Sequence, residues 1–137
     1  MVEIKMEYLG GLRVEAVHGP SSTKLITDAP VDNCGKGESF SPTDLVGVAF
    51  GTCVVTIMGI AADQRGWNIE GTKVRVDKTM IADPHRRIDS LVIEVTGLPS
   101  ALDESQRKVL EAAGNGCPVH HTLRADTKVT LTYSWDG

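Results

Sequence analysis

The stretch Leu45–Ala62, LVGVAFGTCVVTIMGIAA, runs 18 residues without a charged side chain, and any fold for this chain must dispose of it. A run of that length reaches the lower limit for a membrane-spanning helix. Gly47, Gly51, Thr52, Cys53, Thr56 and Gly59 weaken its apolar character, and no basic flank follows the positive-inside pattern. No membrane partner is expected. As a core helix the run would be apolar on every side and would need burial all round. A chain of 137 residues supports one core and can hardly wrap a helix completely. The expectation is therefore a single domain spanning 1–137 that pairs as a homodimer, with the helix glycines permitting close approach.

The start of this helix is encoded locally. Ser41 suits the N-cap, Pro42 the first helical position, and Asp44, three residues after the cap, places a carboxylate where the helix dipole favours it. The helix should run to about Gln64-Arg65, with Gly66 as its stop. Upstream, Val2–Tyr8, Leu12–Val17 and Lys24–Ile26 are alternating or β-rich. Turn signals at Gly10-Gly11 and around His18–Ser22 separate them, so they read as an antiparallel meander. The segment Asp28–Phe40, DAPVDNCGKGESF, has no period and reads as an irregular loop. Downstream, Lys73–Ile81 and Ile88–Val95 are strand candidates joined by a turn at 82–85. In the first of them Val74 and Val76 alternate with Lys73, Arg75 and Asp77, the pattern of an antiparallel sheet covered on one face. A second helix is predicted over Leu102–Ala113, ended by Gly114 and Gly116. Cys117-Pro118 then reads as cap and first position of a short helix, and Thr127–Trp135 as the last strand. The order specifies an α+β fold. With aromatics at only 4% of residues, its core must be built from Val, Ile, Leu, Ala and Met.

A net charge of −4 and a pI near 5.5 exclude a nucleic-acid binder, because no Lys/Arg cluster is dense enough to neutralise a run of phosphates. A small or neutral partner fits better. The N-terminal MVEIKMEYLGG has no basic segment leading into an apolar one, so a reducing, cytoplasmic compartment is expected, with the three cysteines free. Two of them occupy contrasting settings: Cys53 lies mid-run in the apolar helix, and Cys117 stands at the N-terminus of a short one. If the fold brings them together they form what a thiol redox couple requires. On spacing alone, Cys53 would ordinarily be an inert small hydrophobe. CPVHH could contribute to a zinc site with Cys34 or Cys53, but no pair has the tight two-residue spacing of a zinc knuckle. Cys34 reads as a loop residue, and His120 as a candidate for tuning Cys117. Cys117 has the more obvious thiolate-stabilising dipole, whereas Cys53 lies too far along its helix for the N-terminal dipole and needs a neighbouring cation.

The segments GGLRVEAVHG, TDAPVDNCGKGESFSPTDLVGVAFGTC, DPHRRIDSLVIEV and AAGNGCPVHHTL resemble the OsmC/Ohr superfamily, the osmotically induced and organic hydroperoxide resistance proteins. The most diagnostic part is Ser-Pro opening a helix that carries a Cys, with a distant Cys-Pro-Val. The resemblance covers essentially the whole chain. It implies an intertwined homodimer in which each chain gives a curved antiparallel sheet and two main helices. It also implies a thiol-dependent peroxidase in which Cys53 attacks an organic hydroperoxide, Cys117 resolves the product to a disulfide, and an external dithiol restores both. No cofactor or metal is required. The cation falls to Arg13, which follows Gly10-Gly11-Leu12 one residue later than the Gly-Gly-Arg pattern of the peroxidases. A further departure is Thr43, where the peroxidase branch carries Glu, with Asp44 one position on. The sequence is closer to the divergent OsmC-like branch, and this leaves a second reading: a non-catalytic stress protein binding a small apolar ligand at the dimer interface. An apolar wall of Val48, Phe50 and Val54 would favour an organic hydroperoxide over hydrogen peroxide.

Overall fold

A computed structural model describes residues 1–136 and falls into two compact units, Met1–Val46 and a second that begins at Gly47. In the first unit, β1 (Ile4–Gly10), β2 (Arg13–His18) and β3 (Lys24–Asp28) form a three-stranded antiparallel sheet in that order. The β1–β2 turn is made by Gly11 and Leu12, both with positive φ, which matches the handedness that a two-residue hairpin needs. In the ladder, Met6 faces Ala16, Ala16 faces Leu25, and Tyr8 faces Val14. One face of this sheet is therefore apolar. Ile4 is 56% exposed, Met6 67% and Tyr8 63%, so the protomer leaves that face in water.

The loop after β3 makes one 3-10 turn at Val31–Asn33 and leads to α1 (Pro42–Asp63). The local signals at its start operate as expected. The Ser41 hydroxyl accepts from the Asp44 N–H at 3.1 Å, while the Asp44 carboxylate accepts from the Ser41 N–H at 2.9 Å. This reciprocal pair satisfies two donors that the first helical turn would otherwise orphan.

In the second unit, α1 buries one stripe, Gly47, Phe50, Gly51, Val54, Met58 and Ala62, at the three- and four-residue spacing of a single helix face. By length and composition α1 could cross a membrane. It lies instead with that stripe in a core shared with Leu91, Ile93, Val95 and Leu98 of β5 and Leu110 of α2, each with essentially no exposed surface. Burying each such side chain contributes about 1.5–3 kcal/mol. The helix stops as the sequence specifies: Gly66 has φ +73°, its N–H bonds to Asp63 O, and Trp67 N–H bonds to Ala62 O. These are the two bonds that close a helix through a left-handed glycine.

Two of the helix glycines, Gly47 and Gly51, meet the chain's own sheet. A Cβ on Gly51 would meet Val76 Cγ2 at 2.9 Å and Val74 Cγ1 at 3.2 Å, and one on Gly47 would meet Val76 Cγ1 at 3.4 Å. The close approach they permit is of α1 onto strand β4 of its own chain. The opposite side of α1, including Val48 and Ile60, stays exposed, so the protomer buries one stripe of this helix and not its whole circumference.

β4 (Lys73–Ile81), β5 (Arg87–Leu98) and β6 (Lys128–Trp135) form the second sheet in that order. β4 pairs with β5 antiparallel, but β5 pairs with β6 in parallel. The alternation in β4 had suggested antiparallel pairing throughout. The crossover through α2 (Glu104–Asn115) and α3 (Pro118–Thr122) returns the chain in the same direction. The α+β class and its two main helices are as expected. α2 starts at a capping box, with Asp103 Oδ1 accepting from Gln106 N–H and Gln106 Oε1 from Asp103 N–H, both at 2.9 Å. It continues through Gly114 to Asn115 and does not stop at Ala113.

Candidate functional site

Gly114 lies inside α2 because another atom already occupies the space of its missing side chain. A Cβ there would overlap the Tyr133 hydroxyl and lie 3.2 Å from Val54 Cγ1 and 3.3 Å from Met58 Cγ. Val54 and Met58 belong to α1, so α1 and α2 approach each other here. Cys53 is the neighbour of Val54, and Cys117 follows the end of α2 by two residues. Gly116 N–H bonds to Ala113 O at 3.1 Å and Cys117 N–H to Gly114 O at 3.3 Å, which turns the chain out of the helix. Cys117 is fully buried and Cys53 half-buried.

Cys53 packs against the core cluster that includes Cys117. Burial pushes the Cys117 thiol above its ordinary value, and the neighbouring Cys53 thiol pushes it further. Loss of solvent and the neighbouring thiol both favour the protonated form of Cys117. The backbone N–H groups of His120 and Val119, at the start of α3, pull in the opposite direction and are outweighed. This corrects the expectation that the helix start would make Cys117 the readier thiolate: α3 has five residues, and burial dominates. His120 acts on Cys117 through its backbone, while its exposed ring lies 5.1 Å from the Phe50 ring.

Other sequence expectations fare differently. Cys34 is exposed, at a left-handed position after the 3-10 turn. Among the described residues no three His, Cys, Asp or Glu side chains are grouped to hold a metal ion. Phe50 and Val54 are completely buried in the core and Val48 is 39% exposed, so the three do not share one open wall.

Arg13 belongs to the first unit. There its guanidinium donates to Glu38 Oε2 at 3.2 Å and lies 4.0 Å from Asp28 Oδ2. Asp28 is 1% exposed and also accepts from the Glu38 N–H at 3.1 Å. A surface groove of about 700 Å³ runs beside these groups, walled by Leu9, Leu25 and Ile26. Sequence reasoning looked for the carboxylate partner of Arg13 at position 43 and so missed Asp28 and Glu38. The only local signal was a pair of acids inside a segment otherwise read as irregular loop. Thr43 instead bonds the Ser41 hydroxyl at 3.2 Å, and Asp44 takes part in the helix cap described above.

The combination of two three-stranded sheets, a long apolar helix and a second helix recurs among solved structures. A protein from Psychrobacter arcticus 273-4, assigned to osmotic stress and detoxification responses, superposes with a TM-score of 0.91 at 40% identity, covering 98% of this chain and 96% of that one. An organic hydroperoxide resistance protein OsmC from Legionella pneumophila shares the fold at a TM-score of 0.76 and 18% identity, over 98% of this chain and 96% of its own. An organic hydroperoxide resistance protein from Vibrio cholerae O1 biovar eltor does so at 0.72 and 16%, over 96% and 90%, and holds captopril in one of its active sites. The architecture is thus that of the OsmC/Ohr superfamily. The family described as OsmC-like protein matches residues 35–132, and the chain belongs to it. No curated protein matches the sequence.

Proposed function

We propose that the protein is a thiol peroxidase that reduces organic hydroperoxides. The observation that carries this reading is the packing of Cys53 against the core cluster that holds the fully buried Cys117. That arrangement suits a partly exposed attacking thiol backed by a buried reserve. The Cys53 thiolate attacks the distal oxygen of the hydroperoxide, the O–O bond breaks, and the alkoxide leaves as alcohol after taking a proton from solvent. The resulting sulfenic acid is attacked by the Cys117 sulfur. Water departs with the sulfenic oxygen, and a Cys53–Cys117 disulfide remains. An external dithiol then reduces it by exchange.

The resemblance to the family assigns the role of the site's cation to Arg13. The alternative reading, ligand binding without turnover, leaned on Thr43 replacing the family glutamate. Arg13 has carboxylate partners in Glu38 and Asp28, which supports the catalytic reading despite Thr43. A homodimer completes the proposal. Its support is the apolar face of the β1–β3 sheet and the exposed side of α1, which a second copy would cover.

Thiol titration tests the reading. Reduced protein mixed with cumene hydroperoxide should pass from three free thiols per chain to one, with Cys34 remaining. Cys53→Ser should abolish the loss. Three thiols persisting in the unmodified protein after saturating peroxide would leave only the binding role.

A further inference from the structure

We infer that Tyr133 is a positioning residue for the resolving thiol, holding the end of α2 so that Cys117 stays against Cys53. This rests on the peroxidase reading above. The Tyr133 hydroxyl donates to Asn115 Oδ1 at 2.9 Å and reaches the Glu111 carbonyl at 3.3 Å, so it grips the last turn of α2 from the strand side. The same oxygen fills the space left by the absent Gly114 side chain. Cys117 follows Asn115 by two residues, and its N–H is tied back to Gly114 O. Tyr133 is itself fixed in the sheet, opposite Val95 in the parallel β5–β6 ladder. One turn earlier on α2, Trp135 Nε1 donates to Glu111 Oε1 at 2.7 Å, and Arg107 stacks on the Trp135 ring at 5.4 Å. α2 is thereby fastened to β6 at two rungs, and only the Tyr133 rung lies next to the cysteine.

The hydroxyl remains a donor across the working range. Burial, with the negative charges of Glu111 and of an ionised Cys117, pushes Tyr133 up to about 12.

Disulfide closure is the step that depends on this grip. The Cys117 sulfur must reach the Cys53 sulfenic sulfur, form the S–S bond and release water before a second hydroperoxide oxidises the sulfenic acid to sulfinic acid. A loosened helix end lengthens the wait. Tyr133→Phe keeps the ring and removes the donor, so closure should slow about 5- to 10-fold, the size of one lost hydrogen bond. Cys53 sulfinic acid should rise accordingly in peptide mass spectra after cumene hydroperoxide.

A second arm uses diamide, which accepts one thiolate and is displaced as the hydrazine by the other thiol, forming the same disulfide without any peroxide. Closure by diamide should slow similarly in Tyr133→Phe and in Asn115→Ala, which removes the acceptor. Trp135→Phe breaks the other rung and should lose stability while closing at close to the unmodified rate. If the unmodified protein closes with diamide but never with hydroperoxide, the peroxidase reading fails and the positioning role is still read from the diamide rates. If Tyr133→Phe and Asn115→Ala close as fast as the unmodified protein, or if Trp135→Phe slows closure to the same degree, the inference is overturned.

Discussion

Gly114→Ala probes the contact that brings the two thiols together. The added methyl would overlap the Tyr133 hydroxyl and press on Val54 Cγ1 at 3.2 Å and Met58 Cγ at 3.3 Å. Val54 and Met58 are completely buried, so neither can swing into solvent. Inserting a carbon into such a site costs about 1–3 kcal/mol. Displacing the Tyr133 hydroxyl, whose single proton is shared between Asn115 Oδ1 and the Glu111 carbonyl, costs about 1 kcal/mol. Against this, alanine in a helix is favoured over glycine by about 1 kcal/mol. Overpacking wins, with a net loss of about 1–3 kcal/mol by that sum. With an unfolding entropy of about 2.1 cal/mol/K per residue, 137 residues give about 0.3 kcal/mol/K, so Tm should fall by roughly 3–10 °C. Calorimetry of the reduced protein measures this. An alanine variant with an unchanged or higher Tm would show that helix propensity outweighs the packing, and the argument for α1–α2 contact at Gly114 would be wrong.

Two pH dependences follow from named groups. Tyr133 is held at about 12 against an ordinary 10.0, and the Cys117 thiol is also raised above its ordinary 9.0. Both groups bind their protons more tightly when folded, so the stability linked to them is present below pH 9–10 and is lost as pH rises through the folded values. Absorbance of tyrosinate should show one of the two tyrosines titrating near 12, and denaturant midpoints should fall over the same range; Tyr133 titrating at its ordinary 10.0 would contradict the burial argument. At the acid end, the Ser105 hydroxyl and the Gln106 N–H hold Asp103 below its ordinary 3.8. The stabilisation linked to this cap is present above that value and fades as pH drops through the depressed folded one. Asp103→Asn keeps a neutral cap and should flatten the decline in stability below pH 4 while retaining helix by circular dichroism. A decline as steep as that of the unmodified protein would place the acid sensitivity elsewhere.

What was legible in the sequence was mostly what local chemistry writes. Ser41, Pro42 and Asp44 mark the start of α1, Gly66 marks its stop, and the structure uses all four as caps or closures. The alternation of Val74 and Val76 identified a half-buried strand, but a period of two says which face is covered and nothing about the partner. The parallel β5–β6 pairing therefore stayed out of reach. Gly114 was read as a breaker because glycine ends helices more often than it fills them; its role as a contact exists only once Tyr133, Val54 and Met58 converge on it. The same holds for the thiols. Cys53 and Cys117 are 64 positions apart, and only the resemblance to OsmC/Ohr proteins, not their spacing, suggested that they meet. Arg13 was assigned by the same route, but its carboxylates were not, since Asp28 meets it across the β2–β3 ladder, whose register is not written locally, and Glu38 through a loop that has no period to read.

The central claim is that Cys53 and Cys117 form a single redox pair. Peptide mapping under non-reducing conditions, after one equivalent of cumene hydroperoxide per chain, tests it most directly. The account predicts one dominant cross-linked species, joining the peptide that holds Cys53 to the peptide that holds Cys117, with Cys34 unmodified. A cross-link running through Cys34, or Cys53 carried to sulfinic acid while Cys117 remains a free thiol, would contradict it.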